Sequence, residues 1–168
     1  MTQMSLFFPT DQSATVQMIL SRNELCARHS LHLTAEDAKC IAKTHAVSLR
    51  ENELVEIGAG SVDKIITEFA ASPYADRGNF AQIVETMTEV FCYLKREANR
   101  ELSDTAVIAA MREMFDEVSC GCEELFLGRD LDFLLKYLRQ NRLGRDGRPD
   151  YKIREEDNYG AQPDIPRD

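Results

Sequence analysis

The chain predicts an all-α fold, a bundle or orthogonal array of five to six helices with a minimal two-stranded ribbon as an optional addition and a C-terminal tail. Six stretches repeat apolar residues at spacings of three and four, which marks helices with one buried face. Alternation at strand spacing is confined to two short segments. The clearest stripe is Phe80, Ile83, Val84, Met87, Val90, Phe91, Leu94 and Ala98, which lines eight side chains along one helix.

The elements follow in order. Thr10 or Asp11 can cap a first helix carrying Val16, Ile19, Leu20 and Cys26 or Ala27, with Asn23 interrupting the stripe and an end near His29. Thr34 with Asp37 three residues on resembles a capping box, and Glu36 and Asp37 suit the positive end of the helix dipole. That second helix runs to about Arg50 with Ala38, Ile41, Ala42, His45 and Leu49 inward. Leu31-His32-Leu33 and Leu54-Val55-Glu56-Ile57 alternate and are the two candidates for the ribbon.

Ser61 is placed to cap a third helix with Val62, Ile65, Ile66, Phe69 and Ala70 in register, stopped by Pro73. Asn79 is placed to cap the long fourth helix, which ends near Asn99. Ser103 or Asp104 opens a fifth with Val107, Ala110, Met111, Met114, Phe115 and Val118 on its face, and Gly121 marks a kink or an end. Asp130 is the cap expected for a sixth with Leu131, Leu134, Leu135 and Leu138, ending before Gly144.

These bounds give an N-terminal extension over 1–9, a helical domain over 10–143 and a low-order charged tail over 144–168. A length of 168 residues suffices for a core without metal or disulfides. The formal charge of -9 argues against a free-standing nucleic-acid or anionic-membrane binder, which needs a positive surface. Five cysteines are an odd number without a regular framework, which points to reduced thiols. With no signal-peptide pattern and no run approaching the roughly 20 apolar residues of a membrane span, the expected location is cytoplasmic by elimination.

The sharpest metal reading gathers Cys26, His29 and His32, spaced three apart, with Cys120 and Cys122 into a tetrahedral zinc site. The competing reading makes Cys26 a small core hydrophobe and leaves both histidines at a helix-to-loop junction. Cys-x-Cys is not the usual zinc knuckle. Zinc is therefore the one cofactor considered, and none is the default.

His45 on an apolar face reads first as a hydrogen-bonded core histidine and second as the centre of a small-molecule or metal-dependent enzyme site. Acidic neighbours disfavour redox chemistry at Cys120 and Cys122. The acids Glu51, Glu53 and Glu56, and Glu123 with Glu124, read as solvated surface in so acidic a chain. No phosphate loop, dinucleotide fingerprint or nucleophile elbow is present. Gly58-Ala59-Gly60 reads as a plain turn.

From Arg139 to Arg154 six basic residues face two acidic ones, a local charge of +4 that includes Arg142, Arg145 and Arg148. The segment reads first as a solvated tail or a clasp onto the acidic body, and otherwise as a recruiter of a polyanion or an acidic partner surface. The stretches LRENELVEIGAGSVDKIITEFAASPY, Leu49 to Tyr74, and RDLDFLLKYLR, Arg129 to Arg139, resemble a small bacterial helical protein family of unknown function. The resemblance covers most of Leu31 to Arg139 and implies no activity, ligand or catalytic residue.

The functional expectation is a non-enzymatic interaction or regulatory module whose partner is another protein or a second copy of itself. Its contact face would draw on Phe80, Met87, Phe91, Met111, Met114 and Phe115, and on Arg142, Arg145 and Arg148 of the tail.

Overall fold

The apolar stripes turn one face of each helix inward, and the computed structural model, which describes residues 12–98 and 102–140, is all-helical with no strand among those residues. Six helical runs follow one another. The first breaks into α1 (Gln12–Ser21) and α2 (Asn23–Ala27), and then come α3 (Ala35–Glu51), α4 (Gly60–Ala70) and α5 (Phe80–Glu97). The fifth run is α6 (Asp104–Glu113) continued by a π-helical turn, Met114–Val118. The sixth joins α7 (Glu123–Leu125) through a second π-helical turn, Phe126–Asp130, to α8 (Leu131–Arg139). The expected extension over 1–9, the Thr10 or Asp11 cap and the tail over 144–168 lie outside the described residues.

Helix α3 lies along α5 at the centre, α1 packs on α3, and α4 wedges against α5 and α6. The α5 stripe is the heart of the interior: Phe80, Ile83, Val84, Met87, Val90, Phe91 and Leu94 are buried, and Ala98 is half-buried. The predicted inner face of α3 is buried residue for residue. Phe69, Phe115 and Phe126 form an edge-to-face chain, with ring centroids 5.9 and 5.8 Å apart, that ties α4 to both π-helical turns.

Two caps form as the sequence predicts. Thr34 Oγ1 accepts from the Asp37 amide while Asp37 accepts from the Thr34 amide, a complete capping box. Ser103 Oγ accepts from the Ala106 amide and opens α6.

Four expectations are corrected, each because a side chain found a different partner. The ribbon does not form: Asn23 donates to the Leu33 carbonyl and accepts from the Leu33 amide, both at 2.8 Å, so the polar groups a partner strand would need are taken. The residue that interrupts the first stripe therefore ties the start of α2 to the loop that leads into α3. Asn79 does not cap α5, since its amide group accepts from Asp76 N–H and donates to the Tyr74 carbonyl in the preceding turn. Asp130 does not cap α8, because the chain enters that helix already helical and the buried carboxylate takes the Ser119 hydroxyl at 2.9 Å. Ser61 does not cap α4 either; Glu56 does, as described below.

Gly121 is an end rather than a kink. Its φ of +72° suits glycine, and the Tyr74 ring occupies the space a Cβ would need. Among the described residues no helix is long and apolar enough to cross a membrane.

Candidate functional site

Helix α4 starts without a capping side chain at Ala59, leaving the amides of its first turn in need of an acceptor. Glu56 supplies it from the preceding loop. One carboxylate oxygen accepts from the Ser61 amide at 2.8 Å, and the Ser61 hydroxyl bridges both oxygens at 2.9 and 2.7 Å. The other oxygen faces His45 Nε2 at 3.0 Å, where a carboxylate acceptor makes the imidazole N–H the donor. His45 is 2% exposed, so the default of a hydrogen-bonded core histidine describes its surroundings.

Burial pushes the Glu56 carboxyl up, but the bonds from His45 and from the Ser61 amide and hydroxyl, with the His45 charge, outweigh it and hold it below the ordinary value. A serine, a histidine and an acid thus meet, but in the wrong order for a relay. The single hydroxyl proton of Ser61 goes to Glu56 and not to His45, so the serine-to-histidine contact of such a relay is not made. The trio is a hub that fastens the loop between α3 and α4.

That loop alternates in exposure as an extended segment does. Asn52, Leu54 and Glu56 turn inward, while Val55 and Ile57 point out and are 96% and 99% exposed. An acid inside with two apolar neighbours outside inverts the usual arrangement. Glu56, expected on the surface, is the correction that matters most here.

On the outer side of α3 and α5 lies an open groove of about 640 Å³. Three carboxylates, Glu51, Glu85 and Glu89, line it with Lys43, Tyr93 and the exposed thiol of Cys40. Thr44 donates to Glu85 at 2.8 Å. Burial, followed by repulsion from Glu85 and Glu51, raises the Glu89 carboxyl above its ordinary value. Positive charge is what this groove is short of.

The zinc set is not brought together. Cys26 is buried, with burial raising its thiol, whereas His29, His32, Cys120 and Cys122 are exposed. No group of three or more His, Cys, Asp or Glu among the described residues is placed to hold a metal ion. The six apolar residues expected at a contact face, Phe80, Met87, Phe91, Met111, Met114 and Phe115, are interior to the single chain and offer no exposed patch. Arg142, Arg145 and Arg148 lie outside the described residues.

Sequence reasoning missed the groove because its acids come from two helices. Glu85 and Glu89 were visible as an i, i+4 pair, but Glu51 joins them only when α3 lies along α5.

The thiols sort by burial. Cys40, Cys120 and Cys122 will react with a maleimide in the native protein, whereas Cys26 and Cys92 will label only on unfolding, as mass spectrometry of the labelled peptides will read. Cys92 is the extreme: burial, with Glu56 and Asp104 adding to it, pushes its thiol up to about 12.

Set against known proteins, residues 18–144 match the model of a family of unknown function, DUF6323. No curated protein and no solved structure matches the chain.

Proposed function

The chain belongs to that family, whose model covers more than half of its length, and we propose that it works as a non-enzymatic binding module. Its working surface is the groove between α3 and α5, and its ligand is a cationic segment of a protein partner. One observation carries the reading: Glu51, Glu85 and Glu89 share an open groove with one lysine, and Glu89 already feels its two neighbours as repulsion.

An arginine-rich chain suits such a surface. Guanidinium groups pair with carboxylates through a planar fork, and their faces stack on aromatic rings such as Tyr93. The support comes from the electrostatics and shape of the groove, while the buried hub at Glu56 serves to hold the end of α3 that bears Glu51.

A synthetic arginine-rich peptide titrated into the protein, followed by fluorescence anisotropy, tests this. Glu85→Gln with Glu89→Gln should weaken binding about tenfold, and wild-type binding should fall as salt rises, because partly exposed ion pairs are screened. Equal binding of the peptide by the double variant would remove the proposal.

A further inference from the structure

We propose that Cys120 and Cys122 form a thiol–disulfide exchange site, cycling between a dithiol and an internal disulfide by reaction with small organic disulfides. Neither residue lines the groove, so the site stands or falls independently of it.

The backbone prepares the pair. The Cys122 amide donates to the Ser119 carbonyl at 2.9 Å, and the two residues between them, Cys120 and Gly121, have φ of +50° and +72°. Positive φ at both central residues makes this a tight mirror-image turn. Such backbone is uncommon for a cysteine, and the surrounding contacts hold it there. The Gly121 amide donates to the Phe115 carbonyl at 2.9 Å, the Tyr74 ring lies against Gly121, and the buried Ser119 gives its hydroxyl to Asp130. In an extended segment, cysteines two residues apart have Cα atoms about 7 Å apart, the limit beyond which a disulfide cannot close, and a tight turn shortens that distance.

Both thiols are exposed. The Cys120 sulfur faces the Val118 carbonyl at 3.9 Å and shares a hydrogen bond with the Tyr74 hydroxyl. Thiol hydrogen bonds are weak and leave the side chain able to turn toward its neighbour. Two of the acids that count against redox chemistry in the sequence are engaged elsewhere: Asp116 takes Arg112 at 3.0 Å and the Ser72 hydroxyl at 2.6 Å, and Glu123 takes the Thr86 hydroxyl. Glu117 and Glu124 stay exposed, which favours a cationic disulfide over an anionic one.

The exchange balances in two steps. One thiolate attacks a sulfur of the small disulfide, forming a mixed disulfide and expelling a small thiolate, which takes up the proton the cysteine gave. The second thiolate then attacks the protein sulfur of the mixed disulfide, closing the internal bond and expelling the other small thiolate, protonated in turn. The two cysteines lose two electrons, and the small disulfide gains them. A strained bond across so short a loop is readily reduced, which makes the site reversible.

The test equilibrates the full reduced chain with cystamine at fixed cysteamine, then caps remaining thiols with N-ethylmaleimide and digests with trypsin. Arg112 and Arg129 flank the pair, so one tryptic peptide, Glu113 to Arg129, holds both thiols. In the native chain this peptide should become two hydrogens lighter without label, while Cys40 stops at the mixed disulfide. Closure should need about tenfold less cystamine than in the same chain unfolded in urea, because the turn raises the effective concentration of one thiol at the other. Cys122→Ser should leave cysteamine attached to Cys120. Equal closure in native and urea-unfolded chain overturns the inference, as does a native peptide carrying two cysteamines or a disulfide joining two chains.

Discussion

Phe115→Ala should lower the unfolding free energy by about 4 kcal/mol, within the range for emptying a buried aromatic site. Phe115 is buried in the first π-helical turn, and three rings meet it edge to face: Phe69 of α4, Phe126 of the second π-helical turn, and Tyr74 at 6.4 Å. The cavity cannot close by moving one neighbour, because those rings come from three separate segments. Chemical denaturation followed by circular dichroism will read the change as a lower midpoint at unchanged slope. Phe115→Leu should recover more than half of the loss by filling most of the volume.

Glu56→Ala should cost about 3 kcal/mol, because it strands the Ser61 amide and hydroxyl and leaves the His45 imidazole facing no acceptor. Glu56→Gln keeps an acceptor for Ser61 and should cost less than half as much. The pH dependence gives a sharper test. The folded carboxyl is held below its ordinary value of 4.5, so its contribution is fully present above that value and is lost as pH falls through the folded value. Wild type should therefore lose stability on acidification below about pH 4.5 more steeply than Glu56→Gln, which has no proton to take up there. Parallel curves for the two proteins would show that the carboxylate is not what fastens the loop.

The helices were legible in the chain because spacing alone declares which face is buried. Every inner position read from α3 is interior, and Thr34 and Ser103 cap as their types and positions suggest. The misread caps and breaks share one cause. Asn23, Asn79 and Asp130 carry side chains suited to caps or breaks, and each was captured by a group that folding, not spacing, brings near.

Glu56 was hidden for a different reason: one acid among 29 acidic residues gives no reason to suspect it. The available clue was local. A helix beginning after Ala59 lacks a capping side chain, and an acid flanked by Val55 and Ile57 stands five residues before the amide that needs an acceptor. The groove is harder still, since Glu51 meets Glu85 and Glu89 only through the packing of α3 on α5, and no single window of sequence contains all three.

Val55 and Ile57 have a separate consequence. Nearly as wet in the native chain as in an unfolded one, they lend folding no driving force. Evolution is therefore at liberty to swap them for serine or lysine as far as thermal endurance is concerned. If oily side chains nonetheless recur at both sites among kindred chains, selection there is acting on something that touches the molecule from outside.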